Sequence, residues 1–395
     1  MKQIFKLLFF LFLLSFPLQG QEIVLNKVVA DIDTKLPLKS VTVFNDKDNS
    51  ITNEEGVFVF VSSKNEINFS AIGYNDIKTT FDLLISKDTV FMERKAIVLD
   101  EVIVNNASAY MRKVYDNINV NYPIEPYGEN FFLRCLLKKN EAIVRLQDIS
   151  GKAYRERLFR TKEKKNSVYT IEIVNMRKTG ISETNDATNF QFQSFKQTLD
   201  RTSAILLNVE DKYSFTEVIS TDSDYRKINF IAKEKTEKGQ VADGYFIINR
   251  RDYAIKEVFI DEYSDANSVP YVEKGIYKWR TTFFQSLVQY AKNNENNKYY
   301  VSNAKINGNV EVLKNNLEVI IYDFTTDLFI TNSFIAEKVK SNFSEDKDIF
   351  KAKSSYSKEF WDNQNQLPLT SELNAFLKKV SEDKNKKEFE VVGNF

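Results

Sequence analysis

The 395-residue chain balances 55 Lys plus Arg against 55 Asp plus Glu, so no net field recruits nucleic acid or an acidic surface. It has no His and one Cys, which excludes Ser-His-Asp and Cys-His nucleophiles, imidazole acid–base chemistry, His-ligated metals and any intrachain disulfide. With 32 Phe and 19 Tyr against 6 Pro and 11 Gly, the composition is that of aromatic-rich sheet cores, not of a disordered linker.

Taken in chain order, Lys2 and Lys6 give a positive start, Ile4–Phe16 is an almost unbroken apolar run, Pro17 ends it and Gly20 offers a small residue before Gln21. The run is shorter than the roughly 20 residues of a spanning helix, so residues 1–20 read as a cleavable signal peptide. No Cys lies near the cleavage point, so a lipoprotein is not expected.

Residues 22–104 read as several short strands joined by tight turns. An opening strand runs through Glu22–Val29, and Asp31-Ile32-Asp33-Thr34 is a turn whose short acids can bond their own backbone. Leu36-Pro37-Leu38 is stiff and extended. Strands follow at Val41–Phe44, Val57–Val61, Ile67–Ala71, Ile77–Phe81, Asp88–Glu93 and Val98–Val104, with turns at Asn45–Asn49 and at Asn53–Gly56, where Gly56 is free to take a positive φ.

Pro37-Leu38, Val41, Val43, Thr52, Gly56, Phe58 and Ile72-Gly73-Tyr74 together resemble the carboxypeptidase regulatory-like domain of Gram-negative envelope proteins. Leu99-Asp100-Glu101-Val102-Ile103-Val104 also resembles the segment that follows this domain in outer-membrane transporter chains. The resemblance implies a non-catalytic transthyretin-like or immunoglobulin-like β-sandwich in the envelope. It implies no peptidase, since carboxypeptidase zinc needs His ligands and this chain has none.

Beyond residue 104 the period changes. Met111, Val114, Tyr115 and Ile118 recur at helical spacing before Pro123, so Ala107–Asn119 reads as an amphipathic helix, packed on the next sheet. Phe131–Leu137 and Glu141–Ile149 read as a hairpin over Lys138-Lys139-Asn140; Cys135, set among apolar residues, reads as a small buried hydrophobe. Val168–Met176 is a strand, and Phe190–Leu207 is helix or loop. Tyr225–Lys233, Ala242–Ile248 and Tyr253–Asp261 are strands joined by turns at Lys238-Gly239 and Asn249–Asp252. Long alternating runs follow at Thr281–Lys292, Lys298–Leu313 and Asn316–Ile330. A C-terminal helix over Ser371–Glu382 has Thr370 as N-cap, Glu372 at its positive end and a stripe of Leu373, Phe376, Leu377 and Val380. Charges on both faces of upstream strands, such as Lys233, Glu234 and Lys235, argue against a membrane barrel.

The run Gly244–Ile260, GYFIINRRDYAIKEVFI, resembles a repeat of the periplasmic half-barrel lipoprotein carriers, which wrap a curved antiparallel sheet around acyl chains. The expected fold is therefore mainly β: a transthyretin- or immunoglobulin-like sandwich over 22–104, then a larger curved antiparallel sheet with a few helices over 107–385, then a C-terminal tail over 386–395. No catalytic, cofactor-binding or metal residues are assigned, and no cofactor is expected. The resemblances imply a non-enzymatic periplasmic accessory protein, peripheral to the outer membrane, that docks on an outer-membrane protein or a TonB-dependent-transporter-like complex. The alternative is a carrier or sensor of lipid in the concavity of the second sheet.

Overall fold

The computed structural model describes residues 23–95, 107–159, 168–181, 193–202, 212–218, 224–235, 240–264, 269–315, 318–335, 337–382 and 389–395. The expected signal peptide, the strand at Val98–Val104 and the turn at Lys238-Gly239 lie outside the described residues.

The chain opens with β1 (Ile23–Asp31), β2 (Thr42–Phe44), β3 (Asn49–Ile51), β4 (Val57–Ser62), β5 (Glu66–Ser70), β6 (Ile77–Thr80), a single helical turn α1 (Phe81–Leu84) and β7 (Thr89–Met92). They form two sheets, β4-β1-β7 and β3-β2-β5-β6. Leu25, Val29, Phe58 and Phe60 of the first sheet and Val43, Ile67 and Phe69 of the second share one buried cluster, and the Phe58 and Phe69 rings meet edge to face at 5.4 Å. Alternation along each strand puts these residues on the inner faces, which is what makes two thin sheets a sandwich.

The turn after β1 shows why an acid is used there. Asp31 Oδ1 accepts from the Asp33 and Thr34 backbone N–H groups at 2.9 and 2.8 Å, while Oδ2 accepts from Tyr74 Oη at 2.8 Å and Arg94 Nε at 2.7 Å. The final Tyr of the Ile72-Gly73-Tyr74 motif thus ties the far end of the sandwich to its first turn. Gly56 has φ +71°, and a Cβ there would stand 2.6 Å from the Val29 carbonyl oxygen.

A third, larger sheet holds twelve strands: β8 (Tyr127–Lys139), β9 (Ala142–Arg155), β10 (Tyr169–Ile181), β11 (Tyr213–Val218), β12 (Tyr225–Ala232), β13 (Gln240–Asn249), β14 (Ile255–Ser264), β15 (Val272–Lys274), β16 (Tyr277–Lys292), β17 (Tyr299–Lys314), β18 (Glu318–Ile335) and β19 (Phe389–Val392). Their order is β11-β12-β13-β14-β16-β17-β18-β8-β9-β10-β19, every pair antiparallel, with β15 folded onto the start of β16. The helices are α2 (Ala107–Asp116), α3 (Ile118–Asn121), α4 (Phe195–Arg201), α5 (Lys358–Asp362) and α6 (Ser371–Glu382), with a 3₁₀ turn at Ile349–Lys351.

Three sheet glycines stand directly opposite phenylalanines: Gly151 against Phe131, Gly244 against Phe230 and Gly308 against Phe324. At each, an added Cβ would overlap the facing ring. The missing side chain lets the ring lie across the neighbouring strand, a device that bends a sheet while keeping its face covered.

Several elements differ from the sequence expectation. The first hairpin turns through Asn140-Glu141, both at positive φ (48° and 68°), a two-residue turn whose twist matches its strands. Within Phe190–Leu207, residues 195–201 are helical, started by a reciprocal cap between Ser194 and Gln197. In α2 the buried stripe is Tyr110, Met111 and Val114, while Tyr115 is 36% exposed. Phe389–Val392, expected in a tail, pair with Lys178–Ile181 as an edge strand: Phe389 packs on Phe376 and Glu390 meets Lys178 at 3.3 Å.

Candidate functional site

The large sheet has a concave face, and part of its opposite face meets the sandwich at a joint.

The concave face is filled by the chain itself along much of its length. Phe131, Leu133, Cys135 and Leu137 of β8 point into it and share one buried cluster with Met111 and Val114 of α2, Phe195 and Leu199 of α4, and Ile349 and Phe350 of the 3₁₀ turn. Tyr122 closes one end. Its ring meets Phe159 edge to face at 4.5 Å, and its hydroxyl both accepts from Ile255 N at 2.7 Å and donates to the Ile255 carbonyl at 3.2 Å. Deeper on this face lies a buried ion pair, Arg155 Nε to Glu129 Oε1 at 2.5 Å, both side chains fully buried. Burial pushes the Glu129 carboxyl up, and Arg155 offsets part of that rise. Farther along β16 and β17, Tyr277, Trp279, Phe284 and Val310 are partly buried against the same cluster. The Arg201 guanidinium lies 4.3 Å from the Phe284 ring and pairs with Glu262. Cys135 is 1% exposed, its Sγ 3.9 Å from Thr326 Oγ1, and burial raises its pKa, which makes it an inert core residue.

The opposite face of β8–β10 and β18 carries the joint. Ile51 of the sandwich shares a buried cluster with Phe132, Phe329, Trp361 and Leu367. Asn49 Nδ2 donates to the Ile330 carbonyl at 2.7 Å. Asn365 behaves like a short strand: its Oδ1 accepts from Val61 N at 2.8 Å and its Nδ2 donates to the Val61 carbonyl at 3.0 Å, satisfying the free edge of β4. Beneath this lies a buried charge cluster. Asp148 receives Arg134 through two bonds of 2.8 Å and Arg177 through bonds of 3.0 and 2.8 Å. Burial alone would raise the Asp148 carboxyl; Arg134 and Arg177 outweigh it and hold it below the ordinary value. Arg177 also stacks on Trp361, 4.4 Å from the ring centroid.

A cavity of about 230 Å³ opens at this joint, lined by Thr52 and Glu54 of the sandwich, Lys305 and Asp327 of the sheet, and Lys138 with Glu372 at the start of α6. Lys305 bridges Glu54 to Asp327, and Lys138 meets Glu372 at 2.6 Å. Every charge named here has a partner of opposite sign. Burial raises the Asp327 carboxyl, whereas at Glu54 the contact with Lys305 outweighs burial and lowers it. The cavity is therefore a salt-bridged seam between two modules more than an open binding pocket.

No protein-family model matches the chain, and no curated protein matches it either. Among solved structures, a domain described as an outer membrane lipoprotein-sorting protein from Vibrio parahaemolyticus aligns with 60% of this chain and 96% of its own, at 10% identity and a TM-score of 0.29. The Pseudomonas aeruginosa MucA/MucB complex aligns over 56% of this chain and 93% of the other at 5% identity and a TM-score of 0.17. Lipovitellin aligns over 57% of this chain and 27% of its own at 9% identity and a TM-score of 0.20. Likenesses this low carry no argument, so the reading of the large sheet stands on its own strand pairing. Among the described residues no helix is long and apolar enough to cross a membrane, and no group of three or more Cys, Asp or Glu converges as a metal site.

Proposed function

We propose that the protein is a non-enzymatic docking protein of the envelope, exported by the segment over 1–20, with a sandwich module over 22–104 and a curved-sheet module over 107–385 that act as one body. The observation that carries this reading is the filled concavity. Helices α2 and α4 and the 3₁₀ turn occupy the face on which an acyl chain would lie, so a lipid carrier would have to expel part of its own core. The outward-facing end of the sandwich offers contact instead. Ile32, Leu36 and Phe91 are 41%, 64% and 42% exposed around the turn that Asp31 caps, and Lys35 lies 4.5 Å over the Phe91 ring. An apolar centre with a cationic rim suits a protein partner. The resemblance of the sandwich to envelope modules makes an outer-membrane protein or transporter complex the partner of choice.

The test is capture from detergent-solubilised envelope membranes with the tagged protein, beside a Leu36→Asp/Phe91→Asp variant. Recovery of an outer-membrane protein by the wild type, lost in the variant, is the expected result. An empty capture, with lipid found by mass spectrometry in an organic extract of the purified protein, would establish the carrier reading in its place.

A further inference from the structure

A second surface lies on the outer face of β11–β14, away from the filled concavity. The strand register sets Thr216, Asn229, Tyr245 and Phe259 side by side in one row, and Ser214, Ile231, Asp243 and Asp261 in the next. An open groove of about 440 Å³ runs between the rows. Ser214, Thr216, Asn229 and Ile231 are exposed. Tyr245 and Phe259 stack at 5.4 Å with an interplanar angle of 25°, and Lys227 Nζ lies 4.0 Å over the Tyr245 ring.

The groove has a feature that a merely solvated sheet face does not call for. Asp243 and Asp261 stand directly opposite each other on antiparallel strands, an arrangement that destabilises a sheet. Burial and then the Asp261 charge push the Asp243 carboxyl above its ordinary value. Asp261 Oδ2 accepts from Gln285 Nε2 at 2.7 Å, but its Oδ1 is buried without a hydrogen-bond partner. The row continues with planar amides and a hydroxyl: Gln285, then Asn307, which accepts from Thr325 Oγ1 at 3.0 Å. Acceptors are thus in surplus beside an apolar wall. A ligand suited to the groove brings many donors, no negative charge and an apolar side of its own. With no third acid converging, a metal ion is a poor match.

We propose that this groove binds a neutral polyhydroxylated glycan strand, its hydroxyls donating to Asp243 and Asn229 and its carbon–hydrogen face lying along Tyr245, Phe259 and Ile231. The site is separate from the docking surface proposed above.

Calorimetric titration of the full protein with cellohexaose, chitohexaose and maltohexaose, beside hexagalacturonate as the acidic control, tests it. At least one neutral hexaose binds with a Kd of about 1 mM or tighter, and the acidic hexamer at least tenfold more weakly. Asp243→Ala raises the melting temperature, because it removes the opposed charge, yet weakens the neutral glycan tenfold or more; a purely structural role would not move the two in opposite directions. Asn229→Ala, an exposed change, weakens binding without altering the melting temperature. The proposal is overturned if none of the three neutral hexaoses binds at millimolar concentration, if binding survives both variants, if the acidic hexamer binds equally well, or if a photo-crosslinker at position 231 captures a protein and no glycan. Asp243→Ala leaves capture of the membrane partner unchanged, so this inference and the docking reading fail separately.

Discussion

At Asp148 one carboxylate accepts four hydrogen bonds from two guanidinium groups, in a setting that admits almost no water. Desolvation of three ions is costly, and the mutual attraction offsets it only while all three remain. Asp148→Asn leaves Arg134 and Arg177 buried with their charge unbalanced and is expected to destabilise the fold by about 3–5 kcal/mol, read from urea unfolding. The sign of its pH dependence follows from the lowered pKa. A carboxylate held below its unfolded value contributes its full stabilisation above about pH 4 and loses it as pH falls through the folded value. Asp31 behaves in the same way, held low first by the Thr34 backbone N–H and then by Arg94. Acid unfolding should therefore steepen below about pH 4, and Asp31→Asn should flatten that slope; a slope unchanged in the variant would refute the assignment.

Among the strands and helices, the long alternating runs were readable from the sequence because a period of two is a local signal. β16, β17 and β18 fall close to the three apolar–polar runs, and α6 occupies Ser371–Glu382 as its stripe and Thr370 cap imply. What was not readable depends on partners distant in the chain. The glycine–phenylalanine pairs are invisible until register is known, since Gly308 and Phe324 sit on different strands. A glycine inside a strand pattern was the available hint. Gly308→Ala forces a methyl into the Phe324 ring and is expected to cost about 1–3 kcal/mol, measured as a lowered urea midpoint with an unchanged slope. In α2, Tyr110 and not Tyr115 joins Met111 and Val114 on the buried side, because what a short helix buries depends on the concavity it enters. The salt-bridged joint left no trace in spacing: Asn49, Glu54 and Asn365 are ordinary polar residues until the fold brings them to Ile330, Lys305 and Val61.

At the scale of the whole molecule, the sandwich and the sheet are joined by a small apolar cluster, a few ion pairs and the strand-like Asn365. The partly exposed ion pairs across the joint, such as Lys305 with Glu54, contribute little. The buried backbone of Val61 matters more, because its N–H and carbonyl have no other partner across that edge. Asn365→Ala is predicted to cost about 1–3 kcal/mol and to speed amide exchange at Val61 well above that at Val59. Equal exchange at the two positions would show that the edge does not depend on this side chain.

The strand order has a temporal consequence. β8, at residues 127–139, pairs with β18 at 318–335, and β10 takes its outer neighbour from 389–392. Until residues 318–335 and 389–392 are in place, β8 and β10 have open flanks and the helices have no finished cradle. Assembly of this protein must then be slow and late, governed by the closing of very long loops. The edge of β10 stays open to unwanted strand pairing until Phe389–Val392 arrive to cover it, so a four-residue segment guards the sheet long after the strands it protects were made.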